Sequence, residues 1–235
     1  MYYRILLVAI CLTSFLPMTG YGQEETGPGW YHAFELETGL RLSQEEQGLI
    51  EWDLDGWVGS DENKIRLKFK SEPNASNKDE AEYVAMFSHN ISTFWDVQVG
   101  LRLDTQPESL IYAVIGFEGL APYFLETEAH LFISEQGDFS LTLKYEKDFP
   151  ITNKLIAKPY IEANYFAQNI IEQDIGTGLS NAELGIQTRF EFSSAIALYA
   201  DLKYDRKFGK TRPLAANNGE KKKALVATLG FKFLF

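Results

Sequence analysis

ALVATLGFKFLF, residues 224–235, places an apolar side chain at every second position: Leu225, Ala227, Leu229, Phe231, Phe233 and Phe235. Between them stand Val226, Thr228, Gly230 and Lys232, which are smaller or polar. This is the two-residue period of a strand with one apolar face. A transmembrane barrel strand needs that pattern, with lipid-facing side chains on one side, lumen-facing ones on the other and aromatics at the membrane boundary. The stretch therefore predicts an all-β fold, and the rest of the chain supplies the strands that this one closes against.

The alternation begins at Trp30 and barely pauses. Phe34, Leu36 and Leu40 are set against Glu35, Glu37 and Gly39, and Ile50, Trp52 and Leu54 against Glu51, Asp53 and Asp55. Ile65, Leu67 and Phe69 then alternate with Lys64, Arg66, Lys68 and Lys70. Tyr83, Ala85 and Phe87 face away from Glu82, Val84, Met86 and Ser88, and Val97, Val99 and Leu101 from Asp96, Gln98 and Arg102. The same reading continues through Leu131, Leu143, Ile161, Ile186 and Leu198. It gives about twelve strands, an even number as single-chain bacterial barrels require. Pro159 cannot donate to a ladder, so it predicts a bulge or weak pairing at its strand.

Connections alternate in character. The odd connections (SQEEQ, SEPNASNKDE, DTQPES, SEQGD, NIIEQDIGTG and FGKTRPLAANNGEKKK) are mostly longer and more polar, whereas the even ones (SDEN, SHNIST, GLAPYF, FPITN and SSA) are mostly short. Long extracellular loops and short periplasmic turns produce that asymmetry, with both ends of the barrel domain on the periplasmic side. A soluble β-sandwich has no reason to show it and would blunt its edge strands with charge.

Composition narrows the function. A formal net charge of −11 argues against nucleic acid as a partner, which would want a basic face. Residues 1–22 read as a cleaved signal peptide, with basic Arg4, an apolar core from Ile5 to Leu16 and small residues at Gly20 and Gly22. Residues 23–29 form a short periplasmic leader and 30–235 the barrel. Cys11 departs with the signal, so a cleaved chain has no cysteine for disulfides, thiolate zinc sites or nucleophiles. The three histidines lie in HAF, HNI and HLF contexts, without the H-x-S pairing of a barrel phospholipase, and no H-E-x-x-H or phosphate loop occurs. The expectation is a non-enzyme.

Four segments in order, AEYVAMFSHNISTFWDVQVGLRLD (81–104), FEGLAPYFLETEAHLFIS (117–134), GTGLSNAELGIQTRFEF (176–192) and DLKYDRKFGKT (201–211), resemble the copper resistance protein B family of Gram-negative outer-membrane proteins. The likeness covers roughly residues 30–235. It implies an outer-membrane barrel involved in copper tolerance, with copper ions, outer-membrane lipid, lipopolysaccharide and a periplasmic copper-handling protein as partners. Family members commonly carry a Met- and His-rich segment before the barrel, whereas residues 23–29 contain neither residue. A copper role would then rest on the barrel itself or on a partner.

Imidazole and thioether are the informative copper ligands. His130 shares an inward face with Glu128 and Glu126, and Met86 also points inward, so these four are the candidate metal residues. His89 at a turn and His32 near the first strand's start read as solvated or interfacial. Inward charges have two readings: opposite signs on neighbouring strands pair and fill the interior, or they line a polar path or cation site. A general porin-like channel and a purely structural barrel stay open as alternatives.

Overall fold

A backbone that crosses a membrane in strands must satisfy every N–H and C=O within the sheet, and only closure leaves no edge. The computed structural model, which describes residues 29–43, 47–72, 80–106, 109–217 and 222–235, shows that closure. The strands are β1 (Tyr31–Ser43), β2 (Gln47–Gly59), β3 (Asn63–Glu72), β4 (Glu80–Ser92), β5 (Trp95–Asp104), β6 (Leu110–Ala121) and β7 (Leu125–Ser134). There follow β8 (Phe139–Glu146), the two-residue β9 (Phe149–Pro150), β10 (Leu155–Phe166), β11 (Gly178–Glu191), β12 (Ile196–Lys207) and β13 (Lys223–Leu234). All pairings are antiparallel and join chain neighbours, except that β8 and β9 both pair with β10 and so occupy one place in the wall, and that β13 pairs with β1 to close it. The result is a closed barrel of twelve strands. The signal segment 1–22 and all but Gly29 of the leader lie outside the described residues.

The alternating stretch ALVATLGFKFLF forms the closing strand. β13 pairs with β12 on one side and β1 on the other, in a register from Ser43↔Val226 to Glu35↔Leu234. Phe34 and Phe235 then exchange backbone hydrogen bonds of 2.8 and 3.0 Å, and their rings stack at 6.0 Å. Gly39 and Gly230 face each other across this seam. A Cβ on Gly230 would lie 2.2 Å from the Thr38 carbonyl oxygen, and one on Gly39 would lie 2.7 Å from the Tyr199 hydroxyl. The seam is close because both lack side chains.

Alternation sorts lipid from lumen throughout. Leu101 and Leu184 are each 60% exposed, as expected for side chains meant to meet hydrocarbon, while Val226, Thr228 and Lys232 on the opposite face are buried. Pro159 has a visible consequence. Its carbonyl accepts the Lys147 N–H at 3.3 Å on the edge where its own N–H is missing. The neighbouring strand is interrupted there, between β8 and β9, while the other edge keeps its register with β11 through Pro159↔Ile186 and shifts only further on, between Asn164 and Tyr165.

The short connections gather at one end with the termini of the barrel. In the β6–β7 turn, Tyr123 and Phe124 both have positive φ (68° and 58°), the backbone hand that matches strand twist. Lys147 Nζ donates to the Tyr123 carbonyl and ties the turn to its neighbour. At the other end the long connection after β12 is not irregular throughout. It contains a helix, Thr211–Asn217, where the sequence reading placed only a loop. Thr211 anchors it: its hydroxyl accepts the Gly176 N–H and donates to Ser180 Oγ, each at 3.0 Å.

Candidate metal site in the barrel interior

Inward charges pair, and many pairs cross the lumen rather than follow the sheet. Lys68 on β3 reaches Glu128 on β7 at 2.6 Å, with β4, β5 and β6 between them in the wall. Arg66, also on β3, bonds Glu118 on β6 and approaches Asp55 at 3.3 Å. Lys64 meets Asp96 at 3.0 Å, Lys158 meets Glu146 at 3.0 Å and Arg189 meets Asp148 at 2.5 Å. Gln187 donates to Glu37 at 3.1 Å across β12 and β13, and the Tyr160 hydroxyl donates to Asp201 at 2.9 Å across β11. Lys158–Glu146 and Arg66–Asp55 join neighbouring strands, whereas the other bridges are chords through the interior. A charge confined away from water is tolerable only with such a partner.

His130 lies at the centre of this network and is 6% exposed. Its ring lies over Gly116 of β6, where an added Cβ would come within 2.2 Å of Cδ2. The missing side chain lets the imidazole reach one strand further, to Gln98 Oε1 on β5 at 2.7 Å. The Gln98 amide nitrogen donates to Glu118 at 2.8 Å, which leaves its oxygen facing the ring. His130 Nε2 must therefore carry the proton, and Nδ1 holds the lone pair. Nδ1 points toward Glu128 Oε2, 3.8 Å away. A histidine whose second nitrogen donates to a carbonyl is held as ligating histidines usually are.

The four candidate residues occupy successive levels rather than one cage. Met86 is 2% exposed and packs with Val84, Val114 and Phe132, leaning over Gly100 of β5. This is an apolar layer inside the barrel, where the sequence reading expected mainly charge. Next comes His130 with Gln98 and Ser88, then Glu128, directly across the ladder from Lys144. Glu126 is nearer the short-turn end and faces Glu146 on β8. Among the described residues no group of three His, Cys, Asp or Glu side chains is arranged to hold a metal. His89 is exposed and bonded to Asn63 Oδ1 at 2.9 Å, and His32 is exposed at the start of β1.

Gln98 was legible as an inward residue but not as the one that orients His130. The register pairs it with Gly116, whose own partner across the next ladder is His130. A polar side chain beside an inward glycine was the signal.

An apolar outer skin around a closed, polar and internally bridged lumen defines an outer-membrane β-barrel. Among solved structures it is similar to a NanC porin, with a TM-score of 0.56 and 10% identity over 85% of this chain and 98% of that one. It is also similar to a KdgM porin in complex with disordered oligogalacturonate, with a TM-score of 0.51 and 8% identity over 85% and 98%. At that identity the likeness concerns the fold alone. The chain belongs to the copper resistance protein B family, whose sequence model, described as copper resistance protein B precursor, matches residues 32–235. It is 34% identical over 185 residues to copper resistance protein B of Escherichia coli, covering 78% of this chain and 62% of that protein. It is 32% identical over 187 residues to a copper resistance protein B homolog of Pseudomonas syringae pv. tomato, covering 79% and 64%. The chain thus spans somewhat under two thirds of the length of these relatives.

Proposed function

We propose that this barrel contributes to copper tolerance by holding copper ions at successive interior levels: the Met86 thioether, then His130 Nδ1, then the carboxylates Glu128 and Glu126. The observation that carries the reading is the Gln98–His130 hydrogen bond, which turns an imidazole lone pair into the lumen beside a carboxylate. Thioether and imidazole suit copper, whereas an oxygen-only site would suit calcium or magnesium. The stepwise order fits an ion handed along a path better than one locked in a cage. A periplasmic copper-handling protein would meet such a path at the short-turn end, where Glu126 lies.

A general diffusion porin is the competing reading, and the lumen-crossing bridges count against it. Liposomes carrying the barrel are expected to swell little in uncharged sugars, and rapid swelling would favour the porin. Copper(I) titration of the detergent-folded barrel tests the metal reading. His130→Ala and Met86→Ala are each expected to weaken binding by about tenfold or more, equivalent to about 1.4 kcal/mol. Binding that ignored both changes and was matched by calcium would exclude the path.

A further inference from the structure

Many interior charges are paired, but among the described residues four cations on the outside have no ion pair. On β12 the burial alternates so that Lys203, Asp205 and Lys207 face the lumen while Leu202, Tyr204 and Arg206 face outward. On β13 Lys223 and Leu225 share the outward side. The register sets Tyr204 opposite Leu225 and, one step above, Arg206 opposite Lys223. Two like charges directly opposed on neighbouring strands repel. Among the described residues, none of Arg206, Arg212, Lys222 and Lys223 has an ion-pair partner. The Arg206 guanidinium rests instead on the Phe208 ring, 5.1 Å from its centre. Together with Tyr204 these four cations line a cavity of about 320 Å³.

We propose that this cavity binds the phosphate groups of an outer-leaflet glycolipid. The height is right: the cations sit at the long-loop, extracellular end, immediately above the lipid-facing Leu202, Tyr204 and Leu225. A lipid whose acyl chains lie along that apolar column brings its phosphates to Arg206 and Lys223. Arginine supplies the planar fork that recognises phosphate, with lysine as a point charge beside it. The charge is local, because the chain as a whole carries −11 and would repel a diffuse anion. A bound phosphate also relieves the opposed Arg206–Lys223 pair, which no described carboxylate relieves. The inference rests on the barrel and its orientation and is independent of the copper path.

The test uses the detergent-folded barrel and two preparations of one glycolipid, the lipid A type with its phosphates and the same lipid dephosphorylated. Retention is read by native mass spectrometry. The phosphorylated form is expected to stay bound and the dephosphorylated form to be lost. Arg206→Gln with Lys223→Gln is expected to weaken retention by about tenfold or more, while Lys210→Gln, on the same loop but outside the cavity, leaves it unchanged. Equal retention of the two lipids by the unaltered barrel would overturn the proposal, and that arm needs no variant to fold. So would undiminished retention by the double variant. Displacement of the lipid by inorganic phosphate at equal concentration would reduce the cavity to a simple anion site and equally overturn it.

Discussion

Lys232→Met is expected to lower the unfolding free energy of the detergent-folded barrel by about 3–5 kcal/mol, the usual cost of stripping one partner from a buried ionic cluster. Lys232 is 1% exposed, on the strand that closes the wall, and its ammonium lies 2.7 Å from both Glu35 and Glu37. Those carboxylates face Asp55 and Asp53 directly across the β1–β2 ladder. Methionine keeps most of the stem's volume but leaves four acidic groups gathered on the β1 side of the seam with one counter-charge fewer. Urea unfolding followed by tryptophan fluorescence reads the loss. Lys210→Met, on the exposed loop, should stay within about 0.5 kcal/mol of the unaltered chain, and a Lys232→Met barrel of equal stability would contradict the pairing.

Removing the Lys68–Glu128 chord should change what the lumen admits. Lys68→Ala with Glu128→Ala deletes a bridge that runs from β3 to β7 and keeps the net charge constant. Each single change would strand an interior charge, so the double variant isolates the effect of space from that of imbalance. Single-channel conductance in planar bilayers is expected to be small for the unaltered barrel and to rise severalfold in the double variant. A hydrophobic layer of Val84, Met86, Val114 and Phe132 still narrows the same region, so the expected result is a small ion path rather than a sugar-sized pore. Unchanged conductance would mean that this bridge does not obstruct the lumen.

Much of this architecture is written locally in the sequence. β13 alone declares its two faces, and the parity of Glu35, Lys68, Glu128 or Lys232 follows from counting by twos along each strand. Pairing of those charges could also be anticipated, because opposite signs recur on neighbouring strands. Their actual partners could not. Lys68 finds Glu128 because curvature brings non-adjacent strands face to face across the interior, and no ladder register encodes a chord. The apolar layer is within reach of the same count, since Val114 and Phe132 share parity with inward residues, but their apolar character does not mark them as lumen-facing. The helix Thr211–Asn217 likewise left a trace: threonine followed by Arg-Pro and then Leu-Ala-Ala is a plausible first turn. His130 was legible as a candidate ligand, whereas the choice of Nδ1 required Gln98, Gly116 and Glu118 to be seen together.

The barrel exists only if β1 and β13 meet to close the wall, and cysteine cross-linking in a Cys11→Ser background tests that contact most directly. Leu40→Cys with Leu229→Cys joins two outward residues paired in the register, and directly opposed strand residues lie within disulfide reach. The folded barrel should form this bond within one chain and in high yield, while Leu40→Cys with Leu225→Cys, displaced by about 13 Å along the strand, should not. No bond in the first pair, equal bonds in both, or bonds only between separate molecules would contradict a closed twelve-stranded barrel.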